Sequence, residues 1–387
     1  MNCSSLHIID CINAKVGGPA QSVLTLVKEL NRFQGNHQIN SLDYSSWGEK
    51  PDEDCVSTVR SPFLAEFNGG MSPAFKRRIY QSAEKCNLIH NHGCWLAANR
   101  YARHASHCHK IPLLISPRGM LEPWAMKFGT IKKKIAWALF EFKNLSSARA
   151  FHATSKNEAA SIRSLGFTQR IYLIPNGVHI PNLIRELPSK NLDISTDRPF
   201  FLFLSRIHQK KGIDILMNSW SQLRSHFPDW TAVIAGSEED DSWSQALQNH
   251  PWITDSEQVL RLPFTSGDAK QWLLQNAAFS VLPSRSENFG NSIAESLAHA
   301  TPVLTSTETP WQEITPRRCG WVTDLKNWDA AFQQSLSTPV PSLRTMGQRG
   351  RLWMENDFSW PCIADSMYST YLHLTGMGPK PDCALDL

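Results

Sequence analysis

Glu287 and Glu295 stand eight positions apart in SENFGNSIAES, around a Phe-Gly-Asn turn and directly after the strand-like run FSVLPS. Two carboxylates this close are an acid-base pair, two acceptors for the hydroxyls of one ligand, or a solvated turn. Helical spacing starts near Asn291, with Ile293, Ala294, Leu297 and Ala298 as the apolar face and Asn291 or Ser292 as the expected N-cap. Glu287 then falls in the loop before the helix and Glu295 a little over one turn inside it. They do not share a helical face, so a dyad with a common proton is disfavoured and two separate grips on an extended ligand fit better.

Other residues with chemical potential also follow short apolar runs. Gly17 and Gly18, in NAKVGGPAQSV, suit a phosphate at a helix N-terminus or simply a tight strand-to-helix turn. The stretch lacks the G-x-G-x-x-G spacing of dinucleotide binders, which argues against hydride transfer. Arg206 and Lys211, in LSRIHQKKG, can reach a diphosphate, the first by bidentate bonds and the second as a mobile charge. The alternative is an exposed basic loop, and Lys210 is read that way. His90 and His92, in IHNHGCW, are substrate contacts or satisfied structural groups, with His92, beside Gly93, the better candidate for a contact.

These residues need strands to carry them to one edge. Short apolar runs (LHIID, NLIHNHG, PLLISPRG, AFHATS, RIYLIPNG, then PFFLFLSRI, WTAVIAGSEED, QVLRLPF, FSVLPS, PVLTST) alternate with helical patterns such as Ala20 to Leu30. That alternation marks α/β architecture, in which ligands bind beyond the carboxyl ends of the strands. Two doubly wound Rossmann-like domains facing across a cleft are expected: residues 1–180, a linker 181–198, and residues 199–357. The 387-residue length is too great for one ordinary core. A 41% hydrophobic and 19% charged composition excludes a disordered chain, and a net charge of +4 is far below that of a nucleic-acid binder. Nine scattered cysteines without a C-x-x-C pair argue against a zinc site or disulfide framework and for a reducing, cytoplasmic setting. No signal-peptide pattern and no apolar run near the roughly 18 residues of a membrane span is found.

Taken in order, GGPAQSV, IHNHGCW, SPRGMLEPWA, FHATSKNEAASIRSLGF, IPNGV, LSRIHQKKGID, SENFGNSIAES and the tail FSW resemble glycosyltransferase family 4 (glycosyl transferases group 1), from about residue 8 to 372. The resemblance implies a GT-B fold and a retaining transfer from a nucleotide-sugar donor, UDP- or GDP-linked, to a saccharide or polyprenyl-diphosphate-linked acceptor. Glu287 would sit at the donor sugar and Glu295 at the ribose hydroxyls. Arg206 and Lys211 would neutralise the diphosphate, helped by amides around Phe289, Gly290 and Asn291 and by the Gly17-Gly18 loop. No metal or other cofactor is then required, and EEDD (Glu238 to Asp241) reads as a solvated turn. The helix 358–374 would pack back on the first domain. Relatives commonly carry His where this chain has Arg118, so Arg118 is either a subfamily contact for a phosphate or acidic sugar or the mark of a lost catalytic group. Bacterial surface-polysaccharide synthesis is the implied setting. A nucleotide-sugar epimerase and a catalytically weakened, nucleotide-sugar-binding partner subunit are the alternatives.

The segment 127–143, KFGTIKKKIAWALFEFK, places Lys127, Lys132, Lys133, Lys134 and Lys143 beside Ile135, Trp137, Leu139, Phe140 and Phe142. It reads equally as a helix drawn peripherally to an anionic membrane and as an amphipathic helix with a solvated basic face. Trp95, Trp124 and Trp311 follow strand-end motifs and are candidates to line an acceptor groove.

Overall fold

The computed structural model describes residues 2–13, 17–33, 35–62, 69–127, 130–182, 198–236 and 258–385. The chain divides into two compact units, Met1–Gly177 with Trp360–Leu387, and Val178–Ser359. Most of the expected linker and the EEDD stretch lie outside the described residues.

The first unit is built on β1 (Ser5–Cys11), β2 (His37–Asp43), β3 (Val56–Arg60), β4 (Leu88–His92), β5 (Leu113–Ser116), β6 (Ala150–Ala153) and β7 (Arg170–Leu173). They form one parallel sheet in the order β3-β2-β1-β4-β5-β6-β7. The strand order reverses between β1 and β4, which opens a crevice at their carboxyl ends. The second unit holds β8 (Phe200–Leu204), β9 (Thr231–Ala235), β10 (Val259–Leu262), β11 (Phe279–Leu282), β12 (Val303–Ser306) and β13 (Gly320–Thr323), ordered β10-β9-β8-β11-β12-β13 and again parallel. Its reversal lies between β8 and β11.

Strands buried on both faces read as unbroken apolar runs, which is why FFLFL and FSVL stand out in the sequence. β2 does not: His37, Asn40 and Ser41 are buried within HQINSLD, so its polar composition hides a central strand. β3 and β13 are short edge strands and equally faint.

The last helix runs Trp360–Leu374, with Trp360, Ile363, Ala364, Met367 and Tyr371 buried against Leu26, Leu30, Leu88 and Tyr172 of the first unit. Its start differs from the expected Phe358, because Phe358 ends the preceding helix, Val340–Asp357, and packs on Trp311 and Trp353. Trp311 is also placed otherwise than in a groove: it is buried, and its indole Nε1 donates to the Phe289 carbonyl.

Candidate active site

In the second unit the loops after β8 and β11 are tied into one surface. Arg285 binds Asp214 through both terminal nitrogens, at 2.8 and 2.6 Å, and donates to the Gln209 carbonyl at 2.6 Å. Its backbone N–H reaches the Lys210 carbonyl at 2.7 Å. The intervening Gly212 has φ +71°, and a Cβ there would lie 1.9 Å from the Pro283 carbonyl oxygen, so only glycine permits this approach.

Those ties set Lys211 against Glu287. The ammonium binds Oε1 in an ion pair whose side chains are 15% and 7% exposed, and the Ser284 hydroxyl lies 3.1 Å from the same oxygen. Glu287 is thus a shielded carboxylate held by a partly buried cation beyond the carboxyl end of β11. Arg206 follows β8 directly and is exposed.

Glu295 lies on the helix Asn291–Ala298 and is bound by Lys270 at 2.7 Å, with both side chains about a third exposed. The helix buries Ile293, Ala294, Leu297 and Ala298, as the spacing predicts. Its N-cap differs from expectation. Gly290, at φ +83°, occupies that position without a side-chain cap, because the turn that brings Phe289 into the core demands a left-handed residue there. Asn291 is instead the first helical residue, and the positive end of the helix opens beside the loop holding Glu287. The two carboxylates are held by different cations, Lys211 and Lys270, which agrees with separate grips rather than a dyad.

The first unit carries a second polar focus. Gly17, at φ +79°, caps the helix Gly18–Leu30, and an added Cβ would meet nothing within 4 Å. Its glycine is required by backbone conformation, and the space above it is open. β1 and β4 place His7 beside His90, while β4 and β5 place His92 beside Ser116. Arg118 and Trp95 follow at strand ends with left-handed backbones, φ +58° and +76°, a costly conformation for such side chains.

Hydrogen-bond direction in this focus is set from one end. The Arg118 guanidinium has no lone pair, so at 3.2 Å His92 Nδ1 must accept from it. Neutral His92 then donates from Nε2 to His7 Nδ1 at 3.0 Å. His7 Nε2 donates toward Tyr371 Oη at 3.2 Å and Ser5 Oγ at 3.1 Å, and Tyr371 donates to His90 Nδ1 at 2.6 Å. From His90 the chain continues through Ser116 to His152, each step 2.6 Å, and ends on the Ile174 carbonyl at 2.8 Å. Burial and the Arg118 charge hold all four imidazoles neutral, with His152 pushed down to about 3. His90 and His92 are therefore internal members of a hydrogen-bonded chain, and among the described residues the partly exposed Arg118 is its outermost member. His7, His90 and His92 sit close enough to face one metal ion, yet each ring is accounted for by the chain.

Sequence reading did not find His7, Ser116, His152, Tyr371, Asn176, Lys270 or Ser284. A signal was available for the first three: His7 in LHIID, Ser116 at the end of LLIS and His152 in AFHA are polar residues in largely apolar strand segments. Tyr371 and Lys270 come from distant helices and carry no local signal.

A two-unit fold with paired parallel sheets and charged loops at their carboxyl edges defines a GT-B protein. The description "Glycosyltransferase Family 4" matches residues 16–181 and "Glycosyl transferases group 1" matches residues 185–351. The chain belongs to the family-4 type of glycosyltransferases. It is 23% identical over 208 residues to the alpha-1,3/1,6-mannosyltransferase alg2 of Schizosaccharomyces pombe, across 46% of this chain and 40% of that one. It is 26% identical over 176 residues to the capsular polysaccharide biosynthesis glycosyltransferase CapM of Staphylococcus aureus, across 44% and 46%. The chain thus spans less than half the length of either curated relative. The fold is similar to that of Anabaena Alr3699/HepE, solved in complex with UDP and glucose, with TM-score 0.72, 17% identity and coverage of 95% and 99%.

Proposed function

We propose that the protein is a retaining glycosyltransferase moving a sugar from a nucleotide-sugar donor to a saccharide or lipid-linked saccharide, in bacterial surface-polysaccharide synthesis. The observation that carries the reading is the pairing of Lys211 with shielded Glu287 at one end of the Phe-Gly-Asn turn and the partly exposed Glu295, paired with Lys270, at the other. A donor whose ribose hydroxyls bond to Glu295 displaces Lys270, while its sugar reaches Glu287. Lys211 and Arg206 then meet the diphosphate, whose negative charge grows as the glycosidic bond breaks, so the transfer proceeds without a metal. The helix N-terminus at Asn291 adds amide dipoles to that charge. The acceptor hydroxyl attacks from the face the leaving phosphate departs, and the phosphate takes its proton. Resemblance to CapM supports the polysaccharide setting.

The exposed face of the basic segment supports a membrane-bound acceptor. Ile131, Ile135, Leu139 and Phe142 are 75%, 54%, 74% and 50% exposed and recur at helical spacing, flanked by Lys132, Lys134 and Lys143. No helix among the described residues is long and apolar enough to cross a membrane.

A thermal-shift panel of UDP-, GDP-, ADP- and dTDP-sugars on wild type and Glu295→Ala tests the donor site. One nucleotide should raise Tm in wild type and fail to do so in Glu295→Ala. No shift with any of them in wild type overturns the reading. Isomerisation of the donor without an acceptor would mark an epimerase instead.

A further inference from the structure

We infer that Arg118 is the recognition element for an oxyanion, a carboxylate or a phosphate, carried by the sugar substrate of the first unit. The inference rests on the glycosyltransferase reading for the nature of the substrate, and on the following geometry for its charge.

Arg118 follows β5 and is only partly exposed. Its two partners are neutral acceptors, Asn176 Oδ1 at 2.7 Å from one terminal nitrogen and His92 Nδ1 at 3.2 Å from the other. Among the described residues it forms no ion pair. The carboxylate that acts on it electrostatically, Glu158, is committed elsewhere: Oε1 accepts from Gly119 N–H at 2.6 Å, and Oε2 from Thr154 N–H and Oγ1 at 2.8 and 2.9 Å.

A guanidinium shielded from water without a direct ion pair is costly, and here the cost is offset at a distance by the Glu158 carboxylate and by dipoles. The histidine chain is polarised so that every lone pair points back toward Arg118, which steadies the charge and cannot cancel it. Nε is buried and has no partner. Each terminal nitrogen uses one hydrogen, so each keeps one further donor for an oxyanion's oxygens. Arg118 and Gly119 both have left-handed backbones, φ +58° and +77°, a costly conformation for Arg118 in the turn after β5.

The test is calorimetric titration of the full chain with glucuronate, glucose 6-phosphate and uncharged glucose, on wild type, Arg118→Gln and Arg118→Lys. At least one charged sugar should bind wild type tenfold or more tightly than glucose, as a charge-assisted pair predicts. Arg118→Gln should lose that preference, and Arg118→Lys should keep part of it. The tighter of the two charged sugars tells carboxylate from phosphate. In wild type the Arg118 Nε–H resonance should move with the charged sugars alone, a readout that stands even where a variant fails to fold. Equal binding of charged and neutral sugars, or a preference that survives Arg118→Gln, overturns the inference. UDP binding in the same samples separates the two readings, since it probes the second unit and should not change in either variant.

Discussion

At the scale of single residues, the firmest chemistry lies in Glu287 and its partner. Removing Lys211 as Lys211→Met leaves a shielded carboxylate without its cation. That should cost about 3 kcal/mol of stability in the second unit, read as a lowered Tm. Glu287→Gln keeps the shape and the Ser284 contact while deleting the charge, so it should fold normally. Turnover should drop about a hundredfold or more if Glu287 stabilises positive charge at the reacting carbon. A variant within threefold of wild type would remove Glu287 from the chemistry. The loop and helix positions of Glu287, Glu295 and Lys211 were legible in the sequence because that context is local. Lys270 was not, since it reaches Glu295 from a separate helix, Gly267–Asn276.

At the scale of elements, turns control the site more than strands do. Gly212 has both a left-handed φ and a carbonyl 1.9 Å from any added Cβ. Gly212→Ala should therefore cost about 2 to 4 kcal/mol and displace Lys211, lowering donor affinity together with Tm. The sequence marks Gly212 as a turn; the closeness of Pro283 is a tertiary fact. A second element-level prediction concerns the basic segment. Ile135→Asp with Leu139→Asp alters two exposed side chains, so Tm should hold within a degree or two. Sedimentation with phosphatidylglycerol vesicles at low salt should be strong for wild type, weaken in high salt, and be lost in the double variant. Wild type that stays in the supernatant at low salt would leave the segment as a solvated face.

At the scale of the whole molecule, the histidine chain gives the two units different responses to acid. His7, His90, His92 and His152 are held neutral in the folded state, below their ordinary value near 6.5. An unfolded chain binds protons there that the folded chain refuses. The stability they confer is fully present well above the unfolded value near 6.5 and is lost progressively as pH falls below it. Hydrogen exchange at pH 7.5 and pH 5 should show the first unit opening in acid while the second stays protected. Equal protection of both would mean the imidazoles take up protons without unfolding. The sequence alone determined the alternation of strands and helices, the order of the motifs and the types of residue at the strand ends, because each is written in contiguous residues. Tertiary structure decided what those residues meet: that His90 and His92 belong to an internal chain, that Gly290 and not Asn291 caps its helix, and that Arg118 is hydrogen-bonded to neutral acceptors and forms no direct ion pair among the described residues. Those outcomes depend on parallel strands brought side by side from distant parts of the chain and on a terminal helix delivering Tyr371, and no local pattern encodes such meetings.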